Sequence, residues 1–382
     1  MTYKNLFLLI LYLSLNACSS LPIAYITNQG SNTVSVVDIT NRKITHEIPV
    51  GSGPVGVAIS LKQDFGFITN ANDGSVDVLD LHQNKIVKKI IMGGTPVGIT
   101  KSTDERYIFV SDWFNNEIII IETKSLSVIK KIKVGKSPSG MICDDQGKYL
   151  FISNRDENTV EIYNQSGLNL FKKIKVGKHP YGVFFRKNLL FVVNVLDDSV
   201  SIIDINTFNI ETIRVGDHPY GVVSDIKNEF IFVTNTQDDD ISVIDLIRKK
   251  EIKKIKVGGN PEGIDIDERN HLLVISNWRS DSISIIDVIK QEYLYDIKNE
   301  KNLETIVCRE VFITFMNSFY HKNRMLCKNI SYGNNQNSET FKQIMNIIEC
   351  NEIDCNEIEN IETNKENIFI NAVYNYLLNG NY

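Results

Sequence analysis

Two tryptophans and six histidines are all that 382 residues hold of these types, beside six cysteines and eight prolines. The histidines form no His-Glu-x-x-His pair, and neither a Gly-x-Ser-x-Gly elbow nor a Walker loop occurs. These absences remove the commonest zinc-protease, hydrolase and nucleotide-binding signatures. No Cys-x-x-Cys-His is present, which excludes covalent c-type haem attachment. Positive charge is short as well: 41 Lys and Arg face 47 Asp and Glu, a net charge of -6. Such a balance argues against a protein built to grip nucleic-acid backbone. No window after residue 20 offers the 18 or more apolar residues of a membrane helix. What is present is 42% hydrophobic residues, enough for an extensive core and incompatible with wholesale disorder.

The first residues read as an address. Lys4 precedes an almost wholly apolar stretch, Leu6 to Leu15, which is followed by Asn16-Ala17-Cys18-Ser19. This is the n-region and h-region pattern of an export signal. Leu15-Asn16-Ala17-Cys18 resembles a bacterial lipobox, which implies cleavage after residue 17 and lipidation of Cys18; an ordinary signal with an incidental cysteine is the other possibility. Export to the periplasm or cell surface follows from either, with a membrane anchor, favouring the outer membrane, from the first.

From there to about residue 300 one phrase recurs. Tyr25-Ile26-Thr27-Asn28 has counterparts ending at Asn70, Asp112, Asn154, Asn194, Asn235 and Asn277, at intervals of 42, 42, 42, 40, 41 and 42 residues. A second run with alternating apolar residues, such as Ser199-Val200-Ser201-Ile202-Ile203-Asp204, follows each. A Gly-x-x-Pro-x-Gly phrase, with prolines at 54, 96, 138, 180, 219 and 261, separates them. Alternation signals half-buried strands, and Pro and Gly punctuate them. Four short strands per repeat cannot bury both faces unless neighbours cover them. The expected fold is therefore all-β: a seven-bladed propeller of four-stranded blades over residues 18–300, after a signal peptide at 1–17. The first repeat lacks its Pro-x-Gly strand, so a segment after Lys298 should close the ring, with Thr305-Ile306-Val307-Cys308 as the nearest candidate.

These repeats resemble the YVTN family of bacterial β-propellers, named for the run seen here as Tyr25-Ile26-Thr27-Asn28. The resemblance implies the propeller fold but no particular activity. More distant propellers of similar build bind haem d1 or serve as subunits of amine dehydrogenases.

Residues 301–382 lack the repeat. Cys308, Phe312, Phe315 and Phe319 follow helical spacing, and a small helical appendage is expected. Its cysteines, Cys308, Cys327, Cys350 and Cys355, match no common zinc spacing, and disulfides are expected in an oxidising compartment. Cys143 stands alone in a strand, as a small core residue.

Strand order puts the Pro turns and the turns after Thr-Asn on one face. That face carries Trp113, Phe114, Arg155, His179, Tyr181, His218, Tyr220, Trp278 and Arg279, including both tryptophans of the chain. Exposed Trp, Tyr and Arg anchor interfaces, so this is the expected binding face, and alanine at both tryptophans should leave the fold intact. On the opposite face, Asp144, Arg186, Asp225 and Asp267 suggest ion pairs between blades. His179 and His218 share one slot of adjacent repeats, which admits a shared metal, although a repeated turn sequence explains them without one. The leading expectation is a monomeric, lipid-anchored binding or scaffold protein with no cofactor and no enzymatic activity. Its partner would be an envelope protein or cell-wall component. The alternative is a redox-associated propeller, enzyme or subunit, holding a metal or haem-like group near the central channel.

Overall fold

A computed structural model describes residues 23–298 and the backbone of 309–311. It contains 28 strands, β1–β28, in seven four-stranded antiparallel sheets. The inner strands of blades 2 to 7 are β4 (Pro54–Ser60), β8 (Pro96–Lys101), β12 (Pro138–Cys143), β16 (Pro180–Arg186), β20 (Pro219–Ser224) and β24 (Pro261–Asp267). Each packs against the next, so the ring is a seven-bladed propeller. Each of these six inner strands starts at its proline, where a fixed φ and a missing N–H suit a strand's first residue. The prolines therefore mark one face of the ring, the Pro-turn face. The hairpins that follow the inner strands, and those before each outer strand, lie on the opposite face.

Blade 1 enters at β1 (Ile23–Asn28) and borrows its inner strand, β28 (Arg309–Val311), from far along the chain. Val311 pairs with Ile26 and Arg309 with Asn28. The closing strand thus lies just beyond the expected 305–308 and past the expected boundary at residue 300. It also interrupts the helical face read from Cys308 to Phe319, because pairing with an open sheet edge overrides a local helical pattern. The signal peptide, Cys18, the remainder of the appendage and the cysteine pairings lie outside the described residues.

The recurring Thr-Asn has a specific task. Thr69 Oγ1 accepts the Gly56 N–H of its own blade (2.8 Å) and donates to the Val97 carbonyl of the next (2.9 Å). Thr234 does the same with Gly221 (2.8 Å) and Glu262 (2.9 Å). One hydroxyl so ties two inner strands together. The following Asn ties its own blade: Asn235 Nδ2 donates to Asp240 and Ser242, and Asn277 Nδ2 to Ser282 and Ser284. Between blades, aliphatic side chains complete the joint. Phe67, Val76 and Val78 of blade 2 meet Ile99, Ile108 and Val110 of blade 3.

A third device locks the Pro turns. The residue before proline has positive φ at Gly53, Ser137, His179, His218 and Asn260. Each donates its N–H to an Asn or Asp side chain of the preceding blade: Asn32, Asn116, Asn158, Asp198 and Asp239, at 2.8 to 3.2 Å. The outer strands of blades 1 to 4, 6 and 7 carry a register shift. Bulges and flanking lysines keep such an edge from pairing with another chain.

The expected ion pairs on the opposite face are mostly replaced by turn caps. Asp144 Oδ1 accepts the N–H groups of Lys148 and Tyr149, both at 2.7 Å, and Asp225 Oδ1 those of Glu229 and Phe230. Arg186 of blade 5 pairs with Glu268 of blade 7, spanning blade 6. Cys143 is a half-buried free thiol, and burial followed by the charges of Asp144 and Asp104 pushes its pKa well up.

Candidate functional site

Three positions of each repeat converge on the Pro-turn mouth of the channel: the residue before proline, the residue after it, and the residue after Thr-Asn. A backbone hydrogen bond joins the first and last within each of blades 2 to 7. Trp113 N–H meets the Thr95 carbonyl (3.0 Å), Arg155 that of Ser137 (3.1 Å), and Trp278 that of Asn260 (2.9 Å). Side chains from several blades are thereby brought to one rim by backbone geometry alone.

The aromatic groups form a run across this mouth. Trp113 of blade 3 lies 6.3 Å, centroid to centroid, from Tyr181 of blade 5, and Tyr181 lies 4.4 Å from Tyr220 of blade 6. Arg155 of blade 4 places its guanidinium 5.6 Å from the Trp113 ring and pairs with Asp156 at 2.6 Å. Offset aromatic pairs and a cation over a ring each add about 0.5–1.5 kcal/mol beyond area burial. The mouth is therefore a packed shelf.

This corrects the expectation of exposed anchors. Trp278 is 0% exposed and Trp113 5%; Tyr181, Tyr220 and Arg155 are also buried. Turn residues here point inward, because inner strands of neighbouring blades come together at the mouth. Phe114, at 51% exposure, and Arg279 are exposed, while His179 and His218 are half-buried. Removing both tryptophans would open the shelf, so that substitution is not neutral.

The two histidines share a slot but differ in environment. Burial, and then the nearby charge of Arg155, lower the His179 pKa from its ordinary value to about 4. His179 is thus a neutral imidazole throughout the physiological range, with a nitrogen lone pair to offer. His218 Nδ1 meets Asp217 Oδ1 at 2.5 Å, and its backbone N–H meets Asp198. Asp198, Asp217 and His218 bring their donor atoms within 4.8 Å of one another, so His218 belongs to a cluster of its own turn that does not include His179.

Two polar residues that sequence reasoning passed over complete the rim. Asn260 occupies the same slot as the histidines and is 1% exposed, yet neither its Oδ1 nor its Nδ2 finds a partner among the described residues. Gln29, buried in the slot of Trp113 and Arg155, leaves its Oε1 likewise unsatisfied. Leaving buried amide groups unpaired costs about 1–3 kcal/mol each, and such groups are where a polar ligand edge is accommodated. The signal was legible only by aligning slots across repeats. Glu262, after Pro261 and 0% exposed, adds a carboxylate to the same ring of positions.

Comparisons with known proteins bear on this rim. Residues 22–141, the first three blades and the start of the fourth, match the family model described as the cytochrome D1 heme domain. Among solved structures, hydrazine synthase of Kuenenia stuttgartiensis aligns with a TM-score of 0.64 at 18% identity, over 69% of this chain and 91% of that one. A functionally unknown protein of Desulfotomaculum acetoxidans aligns at 0.64 and 14% identity, over 76% and 98%. Dihydro-heme d1 dehydrogenase NirN, solved in complex with DHE, aligns at 0.59 and 13% identity, over 72% and 73%. At these identities the likenesses establish the propeller fold. A curated relative, PE-PGRS family protein PE_PGRS18 of Mycobacterium tuberculosis, is 58% identical over 36 residues, which is 9% of this chain and only 8% of that protein. The expectation of a ring with no cofactor is withdrawn, since the family model that matches it is that of a haem domain.

The residues at the mouth fit such a group. A macrocycle of this kind needs a neutral nitrogen or similar donor for its iron, a flat apolar support, and donors for its acidic edge. His179 would supply the first, the buried Trp113–Tyr181–Tyr220 run would wall the group at its ring edges, and Arg155 with the Asn260 amide would border its acidic edge.

Proposed function

We propose that this chain is an exported, YVTN-type propeller, anchored through Cys18, that holds a haem-type tetrapyrrole at its Pro-turn mouth as a redox-associated enzyme or subunit. The observation that carries this is the half-buried His179, kept unprotonated by burial and by Arg155, whose guanidinium lies 5.6 Å from the Trp113 ring at the same mouth. The haem-domain match over residues 22–141 supports it. In this proposal His179 offers its lone pair to iron, and Asn158, which accepts the His179 N–H at 2.9 Å, fixes the turn that presents it. Tyr181 and Tyr220, buried against each other, would wall the site, Arg155 would balance acidic substituents beside its Asp156 pair, and the Asn260 carboxamide would gain partners. A bound haem supplies one-electron chemistry or a coordination position for a small molecule. The likeness to propellers of redox enzymes favours this over a scaffold that only captures an envelope partner.

Titration with haemin tests the proposal. One equivalent per chain should shift and sharpen the Soret band. His179→Ala should weaken binding about 100-fold, in line with the loss of one ligand's worth of about 2.7 kcal/mol. An unshifted band with the wild-type chain would contradict it, and unchanged affinity in the variant would remove His179 from the site.

A further inference from the structure

The face opposite the Pro turns carries apolar residues where a soluble ring gains nothing from them. Ile247 is 81% exposed, Leu61 and Ile289 are each 71% exposed, and Ile226 is exposed too. All four sit in turns of that face. Each is followed by a cation: Lys62, Lys227, Arg248-Lys249 and Lys290. They come from blades 2, 6 and 7 and are not one contiguous patch, so they do not resemble the centre of a protein interface. Separate tips on one face suit a flat apolar medium.

Three of these turns fold an acid back beneath the tip, while Asp64 and Glu229 of the Leu61 and Ile226 turns stay exposed. Asp245 Oδ1 is folded back to accept the N–H groups of Ile247 and Arg248 at 2.9 and 2.8 Å. Asp287 Oδ1 likewise accepts the Lys290 N–H at 2.8 Å, and Asp225 Oδ2 that of Lys227 at 3.2 Å. The acids lie beneath the turns they cap, where Arg248 and Lys290 keep loose ion pairs with them at 3.6 and 3.7 Å. Long cationic side chains can let their stems follow apolar neighbours while the head stays at the water boundary.

The chain also enters the ring on this face. Ile23, exposed itself, pairs with Asp38 at the far end of β1 from the Asn28 turn. Cys18 stands five residues earlier, a span of at most about 18 Å when extended. We infer that this face rests on a lipid bilayer, with Leu61, Ile226, Ile247 and Ile289 inserted at the headgroup boundary and the Pro-turn mouth directed away from the membrane. The inference rests on the anchoring at Cys18 for proximity and is independent of any haem. Interfacial apolar contacts of this kind add to a lipid anchor, as two weak signals together give stable attachment.

The test is hydrogen exchange, read by mass spectrometry, on the full chain bound to vesicles of phosphatidylethanolamine and phosphatidylglycerol. Compared with the Ile247→Asp, Ile289→Asp double variant on the same vesicles, wild-type amides in turns 246–249 and 288–291 should exchange about tenfold more slowly. The turn bearing Phe114 should not differ. Both substituted positions are largely solvent-exposed, so the variant keeps its fold. Equal exchange in the two proteins, or slowing confined to the Phe114 turn, would overturn the inference. The mass of the N-terminal peptide reads the anchor separately. An unmodified Cys18 with the turns still slowed would refute anchoring alone.

Discussion

Replacing Trp278 by alanine should destabilise the ring by about 3–5 kcal/mol, the range for emptying a buried indole site. The indole is 0% exposed, and its backbone N–H is pinned to the Asn260 carbonyl at 2.9 Å. The backbone therefore cannot easily follow the missing side chain, and the cavity stays open. Thermal unfolding should shift down by roughly 10 °C. Phe114→Ala, at a residue 51% exposed in an equivalent turn of blade 3, is the comparison and should move stability by about 0.5 kcal/mol or less. Similar losses in the two variants would show that Trp278 does not fill a packed site.

Gly182→Ala should be nearly as damaging, for the opposite reason. A Cβ on Gly182 would lie 2.3 Å from the Tyr220 carbonyl oxygen, and the obstacle is backbone of the neighbouring inner strand. Gly140 faces the same problem, at 2.2 Å from the Tyr181 carbonyl oxygen. The third position of Pro-x-Gly is glycine because successive inner strands touch there. Adding a methyl must push β16 away from β20, costing at least the upper part of the usual 1–3 kcal/mol for overpacking. It must also part the Tyr181–Tyr220 pair, now 4.4 Å between centroids. Denaturant unfolding measures the first effect, and haemin affinity measured on the folded fraction the second. A variant as stable as wild type would mean that the strands can separate freely at this joint.

The repeat was legible because its chemistry is written locally. Thr69 and Thr234 bridge blades through one hydroxyl, and Asn235 and Asn277 bind residues five and seven places on. Each partner therefore falls at a constant offset. The closing strand was not legible to the residue, since Arg309–Val311 is three residues long and has no Pro-x-Gly mark. What selects it is the open edge of β1, which no local pattern records. The same limit hid the burial of Trp113, whose partner Tyr181 lies two blades away. A turn position says which face a side chain reaches, but whether it meets solvent depends on how closely the blades converge. Asn260 was overlooked in an asparagine-rich chain, though its slot, shared with His179 and His218, set it apart.

The most direct measurement is the absorption spectrum of the protein isolated from the envelope that makes it, together with the mass of any extractable pigment. With a tetrapyrrole at the Pro-turn mouth, the protein has a visible band, and acid–acetone releases close to one haem-type molecule per chain. A folded, colourless protein that yields no tetrapyrrole would contradict the assignment.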